Sequence, residues 1–205
     1  MSDFRIVSVS AGLRQPSSTR LLADRLGEST LAALETQGAR GTLETIELRD
    51  IAHDVVNTML TGFPSGAVPE VLDKVTGASG LIAVTPVFTT SYSGLFKSFV
   101  DILDNESLAG MPVLLGATGG TPRHSLALDY ALRPLFTYLH ADVVTTAVFA
   151  ATDDWAGEGD DVNPLPRRID RAAGELASKI LGARHQGPAD EYAAVPSFQD
   201  MLDRL

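Results

Sequence analysis

The sequence predicts an α/β domain with a parallel sheet covered by helices on both faces. Two observations carry that expectation. Short, nearly continuous apolar runs, such as a strand buried on both sides requires, recur at 4–9, 81–85 and 111–117. Stretches whose apolar residues repeat with helical spacing separate them. At 205 residues and 44% hydrophobic, the chain suffices for one well-filled domain, placed at 1–184, with a tail at 185–205.

Taken in order, the first strand ends in the loop Ser10-Ala11-Gly12-Leu13-Arg14-Gln15-Pro16-Ser17, and a helix is expected over 18–37. Gly38 and Gly41 break it, and 42–48 alternates apolar with polar residues as an edge strand does. The segment 49–69, with His53, Asn57, Gly62, Pro64 and Gly66, reads as a long loop serving as lid or contact surface. A short helix follows at 69–76. The strand at 81–85 stops at Pro86, and 94–103 is helical with Leu95, Phe99, Ile102 and Leu103 on one face. After the strand at 111–117, Thr118-Gly119-Gly120-Thr121 leads to a helix with Pro122 in its first turn. A fifth strand is expected at 141–149 and a last helix at 165–181. The acidic stretch 153–161 reads as a solvated loop anchored by Trp155. Phe198, Met201, Leu202 and Leu205 make the tail an amphipathic segment that either docks on a partner subunit or frays.

Right-handed crossovers bring every strand-to-helix loop to the carboxyl edge of such a sheet, where ligands bind. Three loops meet there. The first offers Ser10, Ser17, Ser18 and Thr19 hydroxyls, a helix N-terminus, and Arg14 or Arg20. Unpaired amides and the positive end of the helix dipole favour an anion at that place. The same hydroxyls would serve as an ordinary helix cap, but a cap uses only one of them. The second loop, 85–94, presents Pro86, Val87, Phe88 and Thr89 without a single acid or base. In the third, glycines permit close approach of a flat ligand, and Arg123 and His124 follow. A phosphate seat joined to amide-lined, apolar walls suits a flat, polar-edged nucleotide, and FMN fits well.

Other chemistries lack their residues. No G-x-G-x-x-G follows the first strand, and neither a P-loop nor a G-x-S-x-G elbow is present. A phosphoacceptor receiver domain would need carboxylates where Ser10 and Thr85 stand. The four histidines show no metal-ligand spacing, and without cysteine no thiolate chemistry is available. A net charge of −10 argues against non-specific nucleic-acid binding. No secretion signal or apolar span of membrane length is seen, so a cytoplasmic protein is expected.

The runs S-A-G-L-R-Q-P-S-S-T-R-L-L, T-P-V-F-T-T-S-Y-S-G-L-F-K and A-T-G-G-T-P-R-H-S-L-A-L-D-Y-A-L-R-P, in order at three successive loops, resemble the flavodoxin-like NAD(P)H-dependent FMN reductases. The likeness spans roughly residues 4–150 and is greatest to reductases serving two-component flavin monooxygenases of the sulfonate-desulfonating kind. It implies a five-stranded, doubly wound sheet in the order 2-1-3-4-5, FMN and NAD(P)H as redox partners, and a homodimer or homotetramer. It implies that Ser10, Arg14, Ser17, Ser18 and Thr19 hold the FMN phosphate. Pro86, Val87, Phe88 and Thr89 would contact ring and ribityl chain, and Thr118, Gly119 and Gly120 would close the other side. His124 corresponds to a position that in related reductases is an inserted residue within a π-bulge at the tetramer interface; an ordinary surface histidine is the other reading. The function implied is hydride transfer from reduced nicotinamide to FMN and delivery of reduced flavin to a monooxygenase. A reductase that keeps its flavin and reduces quinones, azo dyes or nitro compounds, or a flavodoxin-type carrier, are the alternatives.

Overall fold

The computed structural model describes residues 3–157 and 159–182. The chain runs β1 (Asp3–Ser10), α1 (Ser18–Thr36), β2 (Arg40–Glu47), α2 (Ala52–Thr61), α3 (Val68–Thr76), β3 (Gly80–Phe88), β4 (Ser91–Tyr92), α4 (Gly94–Val100), β5 (Pro112–Gly119), α5 (Arg133–Tyr138), β6 (Asp142–Val143), β7 (Val148–Ala151), α6 (Thr152–Ala156) and α7 (Leu165–Gly182). The sheet order is β2-β1-β3-β5, and β6 and β7 both pair in parallel with β5. This is the expected five-strand order, with the fifth strand in two pieces.

Alternation along the strands divides the core into two layers. Ile6, Ile82, Val84, Leu114 and Val148 pack with Leu22 and Leu26 of α1 and Leu176 of α7. Val7, Val9, Leu81, Ala83, Val113 and Leu115 pack on the other face against Val55, Val71, Phe96 and Phe136. Both layers are apolar because helices exclude water from each face, so the central strands lack a polar side.

Four expectations need correction. The segment 49–69 is not a long loop: Leu48–Ile51 is a 3-10 turn and α2 follows, ending at Gly62 with φ 74°. The apolar residues Val56, Met59 and Leu60 of this helix lie exposed while Val55 and the polar Thr58 are buried, so its hydrophobic pattern does not mark the buried face. The expected strand at 141–149 is interrupted at 144–147. There Arg133 Nη1 and Nη2 donate to the carbonyls of Val144 and Thr145 (3.0 and 3.1 Å), and Thr146 donates from its amide and hydroxyl to Glu175 (2.8 and 2.6 Å). Side chains thus take backbone groups that a sheet ladder would have used. The acidic stretch after the last strand begins as helix α6, where Asp154 accepts from the Ala151 amide at 2.8 Å. Trp155 does anchor it, packing on the α1 layer with the Arg25 guanidinium 5.0 Å from its ring centre. Lastly, the helix after Gly120 is composite. Pro122–His124 is a 3-10 turn, and a π-turn spans Leu128–Leu132, past His124 rather than at it. Pro134 has no N–H to continue an α ladder, and its ring crowds the carbonyl of Tyr130, so the wider turn falls just before it. The tail expected at 185–205 and its boundary lie outside the described residues.

Candidate active site

The carboxyl ends of β1, β3, β5 and β7 enclose a cavity of about 490 Å³, within the range of small-ligand sites. Ser17 caps α1, its hydroxyl accepting from the Arg20 amide at 3.1 Å, and the first helical bond runs from the Leu21 amide to the Ser17 carbonyl at 3.0 Å. The amides of Ser18 and Thr19 precede that bond and have no helical acceptor, so they are the donors available to an anion. Gly12 makes room above them, since a Cβ there would lie 2.0 Å from Ser17 Oγ. Arg14, exposed, is the single charged side chain of the lining and has no ion-pair partner among the described residues. Arg20, the other cation considered, is committed elsewhere. Its hydrogen bond to Asp24 and its pairing with Glu47 outweigh partial desolvation and raise its pKa above the ordinary value.

The opposite wall comes from β3 and β4. Val87 pairs with Tyr92 and Phe88 with Ser91, so Thr89 and Thr90 form a two-residue turn with φ of 47° and 70°, both left-handed. The buried Thr85 hydroxyl closes this hairpin, accepting from the Ser93 amide at 3.0 Å and donating to the Pro86 carbonyl at 3.1 Å. Phe88 is thereby held at the cavity rim, 45% exposed. From β5, Thr118 Oγ1 lies 2.8 Å from Thr19 Oγ1 and ties the third loop to the first. A Cβ on Gly119 would lie 2.9 Å from the tip of the Phe149 ring, so a larger residue there would have to displace that ring.

The cavity gathers Arg14, Ser17, Ser18, Thr19, Pro86, Val87, Phe88, Thr118, Gly119 and Gly120 in one lining. Ser10, Thr89 and His124 stand outside it. Ser10 is fully buried at the end of β1 with its hydroxyl unpaired, Thr89 sits on the hairpin tip, and His124 is half-buried in the 3-10 turn. Thr152, at the start of α6, lines the cavity and escaped the sequence reading. The signal was there: it directly follows the last strand, whose carboxyl end must reach the same edge.

The residues present suit FMN. An unpaired arginine and two helix amides match a phosphate monoester, a glycine cradle leaves it room, and Pro86, Val87 and Phe88 give a flat apolar surface for a ring system.

Residues 4–156 match the NADPH-dependent FMN reductase family. An FMN reductase (NADPH) of Pseudomonas aeruginosa is 36% identical over 185 residues, 90% of this chain and 96% of that protein. An NADH-dependent FMN reductase, SfnE, of Pseudomonas putida is 36% identical over 184 residues, again 90% and 96%. Among solved structures, an oxidoreductase of Corynebacterium diphtheriae superposes with a TM-score of 0.84 at 45% identity, covering 89% of this chain and 99% of that one. With the three-loop motifs and the doubly wound sheet in agreement, the chain belongs to the NADPH-dependent FMN reductase family.

Proposed function

We propose that this FMN reductase binds FMN in the cavity at the carboxyl edge, phosphate toward α1 and ring toward the β3–β4 hairpin, and passes reduced flavin to a separate flavin-dependent monooxygenase. The observation that carries this reading is the polarity of the lining. Its one charge, Arg14, lies at the α1 end, and the far wall is uncharged. When bound, the flavin supplies the hydride acceptor for reduced nicotinamide.

The chain's own work is then binding and orientation. Ser18 and Thr19 amides with Arg14 hold the phosphate, the Thr19–Thr118 bond keeps two loops at fixed separation, and the Thr85-pinned hairpin fixes the ring-side wall. The lining contains no Asp, Glu, His, Lys or Tyr, which accords with hydride transfer, a step that needs no protein acid or base. The names of relatives, FMN reductases that use NADPH or NADH, support the flavin-reducing half of this reading. Open access from Phe88 and Leu13, both about half exposed, supports a flavin that exchanges.

A homodimer or homotetramer accords with the exposed Leu126 and Tyr130 beside and within the π-turn, 61% and 80% exposed. A cytoplasmic location is part of the same reading; among the described residues no helix is long and apolar enough to cross a membrane.

The test is NADPH and NADH oxidation with FMN, FAD and riboflavin supplied in turn to desalted protein. Turnover that depends on added FMN and prefers it to riboflavin is expected. Full turnover on a quinone without added flavin would favour the flavin-retaining alternative, and no nicotinamide oxidation would favour a carrier.

A further inference from the structure

A chain of charged groups lies beside the anion seat and links the start of α1 to the end of β2. Arg20 donates from Nε to both Asp24 oxygens (2.8 and 3.0 Å) and from Nη1 to Glu47 Oε1 (2.8 Å). Arg49, just past β2, has its Nε 3.2 Å from Glu47 Oε2, an attraction of charge without hydrogen-bond alignment. Its Nη1 and Nη2 face the Gln15 carboxamide, whose oxygen, turned toward them, accepts from Nη1 at 3.1 Å. Glu47 therefore stands between two arginines, one in the first turn of α1 and one gripping the phosphate loop.

Its place follows from the sheet. Glu47 is the register partner of Ser10, the last residue of β1, so it lies one strand spacing from the strand end that leads into the phosphate loop. Ile46 packs in the α2 layer and the Thr45 hydroxyl donates to Asp24 of α1 at 3.3 Å, so Glu47 shares the face of α1. Its side chain is 15% exposed, which limits solvent screening. Arg20 carries Asp24 and Glu47, and Arg49 carries Glu47 and Asp50 at 3.4 Å; Arg14 alone keeps its charge available. Of the three arginines in or against the loop and the first turn of α1, two are neutralised.

We propose that Glu47 sets how long a phosphorylated flavin stays: by engaging Arg20 and Arg49 and placing a negative charge beside the seat, it holds FMN affinity low enough for exchange. This rests on the reading that α1 receives the FMN phosphate. Riboflavin, which has no phosphate, should not sense Glu47, so the FMN-to-riboflavin affinity ratio isolates the effect.

The experiment titrates FMN and riboflavin by flavin fluorescence against wild type, Glu47→Gln, Asp24→Asn and Arg14→Ala, with FMN dissociation rates from stopped flow. Glu47→Gln should tighten FMN about tenfold, as expected for removing one charge near a dianion at intermediate dielectric, with riboflavin unchanged and FMN release slowed in proportion. The gain should shrink at high salt. Asp24→Asn, which also loosens Arg20, should shift FMN in the same direction and carries the test if Glu47→Gln fails to fold. A folded Glu47→Gln whose FMN-to-riboflavin ratio is unchanged or lower overturns the proposal, as does the same result for Asp24→Asn. A wild type that binds FMN no tighter than riboflavin, indifferent to Arg14→Ala, instead removes the phosphate seat itself.

Discussion

Thr19 Oγ1 and Thr118 Oγ1 lie 2.8 Å apart, both buried, although 99 residues separate them in sequence. One hydroxyl belongs to the first turn of α1 and the other to the end of β5, so this bond spans the β1 and β5 strand ends beneath the cavity.

Thr118→Val keeps the volume but leaves the Thr19 hydroxyl without a buried partner, at a cost of about 1–3 kcal/mol. Thermal unfolding should fall accordingly, and FMN affinity with it, because the two loops lose their tie. Thr118→Ser should restore most of both. If Thr118→Val melts like wild type, the bond does not hold the loops together.

Arg14→Ala removes the one uncompensated cation of the lining, and a charge-assisted contact to phosphate corresponds to roughly ten- to hundredfold in FMN affinity. Thr19→Ala should weaken FMN in the same sense. Hydride transfer measured in a single turnover at saturating FMN should stay near wild type in both; a slowed single turnover would give these residues a part in the chemistry.

The hairpin turn is strained. Threonine is β-branched and poorly suited to the φ values of 47° and 70° at positions 89 and 90, whereas Asn-Gly favours a turn with both central residues left-handed. The double change Thr89→Asn, Thr90→Gly should stabilise the fold by about 1 kcal/mol, read as a higher denaturant midpoint. An unchanged midpoint would mean that the turn carries no strain.

Glu175 holds the interruption between β6 and β7. Burial opposes its charge, yet donation from the Thr146 hydroxyl and amide and from Arg171 prevails and holds its pKa below the ordinary 4.5. Because the folded value is depressed, the stabilisation is fully present above pH 4.5 and is lost as pH falls through the folded value. Glu175→Gln should therefore be less stable than wild type at neutral pH, with the gap closing in acid. A gap independent of pH would assign the effect to hydrogen bonding alone.

Doubly wound order, three converging loops and the start of α1 were legible because each follows from local pattern. Apolar runs mark strands buried on both faces, handedness sends their carboxyl ends to one edge, and hydroxyls before a helix mark its N-terminus. Residue types at those loops likewise carried the resemblance to FMN reductases. What only the folded chain decided depends on partners distant in sequence. Arg20 and Arg14 look alike as phosphate ligands until Glu47, 27 residues beyond Arg20, is brought beside one and not the other. The break in the last strand likewise depends on Arg133 and Glu175 reaching its backbone from two helices. Periodicity records which face of an element is buried; it carries no record of which opposite charge or backbone donor the fold sets beside a given side chain, and that pairing decides which groups remain free to bind.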